Sequence, residues 1–577
     1  MNMLRTFVLK LNPVMMLFAI VLSFLYGVIA ISQILGIARI YKAFLVIPLA
    51  LVLGGTAFYL YNRLGKSFND SFIKPSKFPR NLWLTLAFLT SGLALYILLV
   101  FFPLAHWPYS QISAELPWDA GLYHFPKAAE MISTGSACDL SISYGEYPFG
   151  YESLIAFALS INHTGFLIGS VHALLSLFLL LSMTLLVARY TRLPLAPVIL
   201  LISLLFLGYQ MARDFDSNIW WIFWLQITMI GKNDLFMGAS LLAVLLFTPF
   251  SREGPFFPFG LALASAVAIS IKPNAALVVL FAWMMMLFFI WRSGQFGRYL
   301  RQLVGSAIVI LPGILWIYRN LIVQGTLISQ ASLVISKWSI ASNLNNPFFY
   351  NYIPQHLYYV LGIIAVSAVA SIFRPSLRFY CLAALVLLVT FALTPASAFF
   401  GTTQERAQIA WRFAIGLLAY LFILLLVLFE PLITPVYAWI SRKAVLFIPL
   451  TIGMLAFGLW GVWSQRDLMS TYPQNAIVLH DQYLKPVGVD GYYSAYDYVH
   501  KNVHNSVVII ENGLPFYLYD AGFTNSVTRS RPADYSVFLK TSWLGPGNYP
   551  KTLSQPNWSK IWQLVYEDSE GRVYKRK

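Results

Sequence analysis

The feature that most constrains this 577-residue chain is the recurrence, along most of its length, of apolar runs about twenty residues long separated by short polar segments. A helix rises about 1.5 Å per residue, so each such run covers a hydrocarbon core of roughly 30 Å. Within lipid the backbone must bond to itself, which makes helices the default spanning structure. Only 11% of the residues are charged and the mean hydropathy is +0.68, whereas a soluble globular protein carries roughly 25% charge. Water is therefore not the main solvent of this fold. Spans are expected near 13–35, 43–62, 82–104, 166–187, 195–210, 235–249, 256–271, 275–291, 303–318, 356–373, 379–395, 413–429 and 444–462. They describe an α-helical polytopic membrane protein with about 13 transmembrane helices. The first run follows Arg5 and Lys10 and a second comes close behind it, so it reads as a retained anchor and not a cleaved signal.

Lysine and arginine give the orientation, because cytoplasmic loops carry their excess. With the N-terminus in the cytoplasm, the cytoplasmic segments hold 17 basic residues, Arg63, Lys66, Lys74, Lys77, Arg80, Arg292, Arg298 and Arg301 among them. Against these stand three acids, Asp70, Glu253 and Glu430. The external segments before residue 464 hold 10 basic and 10 acidic residues, and the tail 12 and 10. The formal charge of +16 is thus an orientation signal. It is not a nucleic-acid footprint, since no basic-aromatic module accompanies it. Cys138 falls in a polar loop and Cys381 in an expected span, which speaks against a structural disulfide or a cysteine metal site.

Composition changes near Ser464, dividing a membrane domain, 1–463, from a tail, 464–577. In the tail the runs Ser506-Val-Val-Ile-Ile510 and Trp562-Gln-Leu-Val-Tyr566, with the turn-like Asp568-Ser-Glu-Gly571, predict a small α/β domain outside the membrane. Leu514 to Tyr519 reads as a further short strand or helix.

Chemistry concentrates in the external segments. The loop 105–165 contains Glu115, Asp119, Glu130, Asp139, Glu146 and Glu152 against the single Lys127. Pro126 suits a first helical turn, and Ala128, Ala129, Met131 and Ile132 then form an apolar face expected to lie on the membrane surface. That placement would hold Asp119, Tyr123 and His124 just above the bilayer. Asp119 on its own reads first as a helix cap, since caps are common. Further along, the external ends carry Arg213-Asp-Phe-Asp216, Gly231-Lys-Asn-Asp234, Lys272-Pro-Asn274, Arg319-Asn320 and Arg412. Ionisable groups beside apolar runs are expensive unless partnered or wet. Convergent cations suit a phosphate and an aspartate suits proton abstraction from a hydroxyl, although snorkelling at helix ends explains any single lysine or arginine. Trp220, Trp221 and Trp224 read as interface anchors or as a sugar-stacking surface.

Taken in order, Asp119 with Tyr123-His124 and Pro126, Tyr147-Pro148 with Glu152, Lys232-Asn-Asp234, Lys272, Arg319-Asn320 and Arg412-Phe413 resemble the pattern of bacterial members of the GT-C superfamily of membrane glycosyltransferases. The tail, with Tyr517-Leu-Tyr519 and Gly522, resembles the external α/β domain of the same enzymes. The resemblance implies a GT-C-like catalytic domain in a bacterial inner membrane with a periplasmic tail. It also implies a polyprenyl-phosphate-sugar donor and a glycan, lipid or protein acceptor, with Asp119 as general base. Tyr123, His124, Glu152, Lys232, Asp234, Lys272, Arg319 and Arg412 become candidate substrate-binding residues. No cofactor is required by the residues; a divalent cation, Mg or Mn, with Asp119 and Asp234 as its possible ligands, stays open. The competing readings are an oligosaccharide ligase, a lipid-linked substrate transporter or flippase, and a non-catalytic scaffold. A transporter would carry ionisable residues at mid-depth, whereas most here sit at span ends; His172 reads as a packed polar residue.

Overall fold

The structure, a computed structural model, describes residues 13–71, 82–105, 119–140, 144–162, 166–191, 193–211, 230–251, 255–327, 354–375, 377–392 and 411–443. It also describes the tail segments 494–510, 513–520, 522–528, 532–540 and 557–577, with a few isolated positions. Most of the expected span 444–462, the boundary near 464, Arg213 to Asp216, and Trp220, Trp221 and Trp224 lie outside the described residues.

Apolar runs become helices almost where their composition dictates. The helices are α1 (Pro13–Ile37), α2 (Ala43–Leu64), α3 (Leu82–Tyr96), α4 (Phe125–Thr134), α5 (Gly150–Ile161), α6 (Phe166–Tyr190), α7 (Leu195–Met211) and α8 (Asp234–Phe247). They continue with α9 (Pro258–Ile269), α10 (Ala275–Arg292), α11 (Phe296–Gln324), α12 (Pro354–Phe373), α13 (Leu377–Ala392), α14 (Ile415–Leu428), α15 (Glu430–Arg442) and, in the tail, α16 (Ser494–Asn502). Among the described residues, five are long and apolar enough to cross a membrane, namely α1, α2, α6, α10 and α11. The bent pair α14 and α15 makes six if it is one span. The other expected spans are apolar helices of 10–17 residues within the described segments, α3 continuing through a π-helical turn, Ile97–Phe101. The expectation of about 13 spanning helices is thus met only in part.

Helices α1 and α2 form a hairpin whose crossing relies on small residues. A Cβ on Gly27 would lie 2.5 Å from the Ala50 carbonyl oxygen, so only glycine lets the two backbones meet, as in close membrane packing generally. Helices α8 and α9 are buried along nearly all their lengths. A helix apolar all round must occupy such a central position.

The tail folds as a five-stranded sheet, β1 (Val507–Ile510), β2 (Ser526–Thr528), β3 (Tyr535–Leu539), β4 (Trp562–Glu567) and β5 (Gly571–Arg576), in the order β2-β1-β3-β5-β4. β1 runs parallel to both its neighbours, and β3-β5 and β5-β4 are antiparallel. Asp568 makes the last hairpin by accepting bonds from the Glu570 and Gly571 amides, which fits the Asx-turn chemistry of that tetrapeptide. Leu514 to Tyr519 resolves as a short 3-10 helix, Pro515–Leu518, with all four residues buried.

The loop helix α4 departs from expectation. Pro126 does stand in its first turn and Gly135, at φ 73°, ends it. Yet Phe125 to Met131 are all buried, so the helix does not lie on the membrane surface. It packs on α5, where Lys127 meets Glu152, and against the tail, through Phe516 against Phe125 and Tyr519 at Glu130. A half-apolar helix gains more from two protein partners than from a bilayer surface that leaves its polar side wet.

Candidate functional site

Asp119 precedes a five-residue π-helical turn, Ala120–His124, that runs straight into α4. Its side chain makes no capping bond, so the cap reading does not describe what the carboxylate does. Instead Asp119 Oδ2 lies 3.3 Å from Arg412 Nη1 and 3.7 Å from Lys232 Nζ. Arg412, in the 3-10 turn that leads into α14, also reaches Asp234 Oδ2 at 3.9 Å. Asp234 opens α8, and its Oδ1 accepts a bond from Lys272 at the break between α9 and α10. Five residues from four separate segments therefore alternate in sign, Lys232, Asp119, Arg412, Asp234, Lys272. Three cations face two carboxylates.

The local sequence explains this convergence. Gly231 adopts φ 92°, and a Cβ there would stand 2.4 Å from that of Ala120. Only a glycine turns the chain sharply enough to bring Lys232 against the Asp119 turn. The Phe413 ring sits 4.7 Å from both the Lys272 ammonium and the Arg412 guanidinium, an aromatic face that favours cations. Burial, reinforced by the Arg412 charge and opposed by Asp119, lowers the Lys232 pKa from the ordinary lysine value. The cluster is not sealed: Asp119 keeps 16% of its side-chain surface and Lys272 19%. A small pocket, with interior room for about one water, is lined by Asp234, Lys272 and Asn274 together with Met237, Leu241 and Phe391.

A second group adjoins it. His124 Nδ1 is 2.9 Å from Glu152 Oε1, and Lys127 Nζ approaches the same oxygen at 3.6 Å. All three residues are buried. Burial alone would raise the Glu152 carboxyl, but the Lys127 charge and the His124 hydrogen bond hold it below the ordinary carboxylate range. Burial conversely lowers the Lys127 ammonium against the pull of Glu152. Tyr123 joins the two groups. Its ring lies tilted beside His124 and edge-on to Tyr144, and burial, then the Asp119 charge, push its hydroxyl well above the ordinary value.

Arg319 is placed elsewhere. Buried in α11, it donates to the Tyr147 carbonyl at 3.0 Å and to Asn320 Oδ1, while Asn320 donates to the Glu146 carbonyl at 2.8 Å. Its guanidinium lies on the Phe149 ring. The pair fastens the backbone of 146–149, and thereby the start of α5 with Glu152. Arg319 is thus brought together with the loop and not with the Asp119 cluster. Its donors are taken up by carbonyls, which a guanidinium with five fixed N–H groups satisfies well.

Two residues of this neighbourhood carried little weight in the sequence. Lys127 stood out there only as the lone base among six acids. Glu130 is 2% exposed, and its carboxylate accepts from Ser526 Oγ at 2.6 Å, Tyr519 hydroxyl at 2.9 Å and the Val527 amide at 3.2 Å. An acid inside the apolar stretch Ala128 to Ile132 was the available signal. As to a divalent cation, no group of three or more His, Cys, Asp or Glu side chains suited to a metal occurs among the described residues. Asp119 and Asp234 are each already engaged by basic side chains, a donor set that does not fit a resident ion.

In comparisons with family models, with curated proteins and with solved structures, no match to this chain was found. Fold and site by themselves define the class: a helical protein with several helices able to cross a membrane, a buried charged centre, and an α/β tail docked beside it.

Proposed function

We propose that the chain is a GT-C-type glycosyltransferase of the cell envelope, with about 13 spans, that moves a sugar from a polyprenyl-phosphate donor to an acceptor hydroxyl at the external, periplasmic face of a bacterial inner membrane. The observation that carries the reading is the alternating cluster, where Asp119 and Asp234 share Arg412 between Lys232 and Lys272. Three cations over two carboxylates leave one positive charge, complementary to a lipid phosphate.

Asp119 is the more exposed of the two carboxylates, and in this reading it takes the proton of the acceptor hydroxyl. The hydroxyl oxygen forms the new bond to the anomeric carbon as the bond from that carbon to the phosphate oxygen breaks. Its electron pair leaves with the lipid phosphate, where Arg412, Lys232 and Lys272 stabilise the charge. A single displacement inverts the anomeric configuration. Asp234 orients Lys272 and Arg412; His124, held by Glu152, and Tyr123 line the acceptor side. Acceptors of the glycan, lipid and protein classes all present such a hydroxyl.

The test is reconstitution in lipid with polyprenyl-phosphate monosaccharides and, separately, nucleotide sugars. The expected outcome is transfer from the lipid-linked donor, reduced by about 10²-fold or more in Asp119→Asn. Transfer from nucleotide sugars alone rejects the donor, and wild-type turnover in Asp119→Asn rejects the base.

A further inference from the structure

Lys272 lies in the short break between α9 and α10, and its backbone is placed by a closed set of contacts running through α11 and the start of α5. The first contact joins α11 to α9. A Cβ on Gly313 would stand 2.5 Å from the Ala266 carbonyl oxygen, so the two backbones meet there as only glycine permits. The second joins α9 to α5. The Gly150 amide donates to the Ser270 carbonyl at 2.8 Å, and a Cβ on Gly150 would stand 2.7 Å from that same oxygen. Ser270 is itself tied back to α9, its amide donating to Ala266 O at 3.2 Å and its hydroxyl to Val267 O at 2.6 Å. It precedes Lys272 by two residues.

The third contact returns from α5 to α11. Arg319 holds the Tyr147 carbonyl and lies on the Phe149 ring, while Asn320 holds the Glu146 carbonyl. Gly313 and Arg319 are about 9 Å apart along α11, and Ala266 and Ser270 about 6 Å apart along α9, so the three junctions close a small frame. At Gly313 and Gly150 the partners meet backbone to backbone. No side-chain rotation there can absorb a shift at one junction before it reaches the next.

We infer that Arg319 and Asn320 are positioning residues: through Tyr147, Gly150 and Ser270 they set where Lys272 meets Asp234, without touching a substrate themselves. A guanidinium suits this role, because its fixed fork holds carbonyls in a set direction, whereas a lysine keeps the charge and loses the fork. The effect on rate rests on the proposed transfer; the linkage is a property of the fold alone.

The experiment uses the full chain in lipid vesicles as wild type, Arg319→Lys, Gly150→Ala and the two combined. The second substitution strikes the frame from its other side and keeps Arg319 in place. Hydrogen exchange read by mass spectrometry should speed up in both single variants over 144–152 and, across the junction, over 266–276. Faster exchange confined to 144–152, or spread evenly over the chain, overturns the linkage. With a polyprenyl-phosphate monosaccharide as donor, each single variant should lower kcat about tenfold or more and leave the donor KM within about threefold. The combined variant should lose much less than the product of the two, since both act through one junction. A donor KM raised about tenfold with kcat kept, or losses that multiply, makes Arg319 a substrate contact and overturns the inference. No transfer by the wild type sinks the proposed function and not the linkage, which the exchange measurement decides without substrate.

Discussion

Replacing Glu130 by glutamine tests how the tail is held against the loop that carries Asp119. The wild-type carboxylate receives three donors from the tail, Ser526 Oγ, Tyr519 hydroxyl and the Val527 amide. Burial and the Glu130 charge push the Tyr519 hydroxyl well above its ordinary value, so it remains a donor. Glutamine keeps one acceptor oxygen and turns an NH₂ toward the others. Tyr519 has an alternative in the Pro126 carbonyl at 3.3 Å, and Ser526 can rotate; the Val527 amide cannot. Losing one charge-assisted bond, about 1.5–3 kcal/mol, and stranding one buried N–H, about 1–3 kcal/mol, gives roughly 3 kcal/mol. That is on the order of a hundredfold in the docking equilibrium. The loosening should reach the site, because Leu514 packs over Gly121 and Phe516 against Phe125. Hydrogen exchange read by mass spectrometry should therefore speed up in peptides covering 519–528 and 120–134, with Tyr519→Phe giving a smaller effect. Wild-type exchange in both regions of Glu130→Gln would refute the latch.

Three further outcomes follow from the same geometry. Glu152→Gln leaves Lys127 buried without its carboxylate and should cost about 3–5 kcal/mol, seen as a lower midpoint of thermal unfolding in detergent; an unchanged midpoint contradicts the pairing. Gly231→Ala drives a methyl into Ala120 beside Asp119, and should slow the proposed sugar transfer by roughly tenfold to a hundredfold with the tail still docked, measured as initial rate. Asp520 is a depressed carboxyl: burial would raise it, but the Asn525 amide and the Thr524 hydroxyl and amide hold it below 3.8. Its contribution to tail stability is present above its unfolded value and lost as pH falls through the lower folded one, so acid unfolding of the tail below about pH 4 should flatten in Asp520→Asn, monitored by tryptophan fluorescence.

Much of the architecture was legible because membrane solvent imposes it locally. The runs at Pro13, Ala43, Phe166, Ala275 and Leu303 become helices able to span, the last starting earlier, at Phe296, since an apolar twenty-residue segment has no other way to satisfy its backbone. The strands at Val507 and Trp562 follow from β-rich alternation, and the last turn from Asp568 and Gly571. The helix α4 was readable from Pro126, but its environment was not. Amphipathicity states that one face is covered and leaves open by what; the tail and α5, not lipid, cover it.

The candidate site divides in the same way. Asp119, Lys232, Asp234, Lys272 and Arg412 are legible in the sequence as ionisable residues beside apolar runs, a costly position that demands partners. Their pairing emerges from packing: Arg412 between the two aspartates, Arg319 given to the loop carbonyls, and Lys127 and Glu130 recruited to Glu152 and the tail. The physical reason is range. Hydropathy acts through each residue's own solvent and is written locally, whereas an ion pair depends on a few ångströms between segments hundreds of residues apart, which packing alone sets.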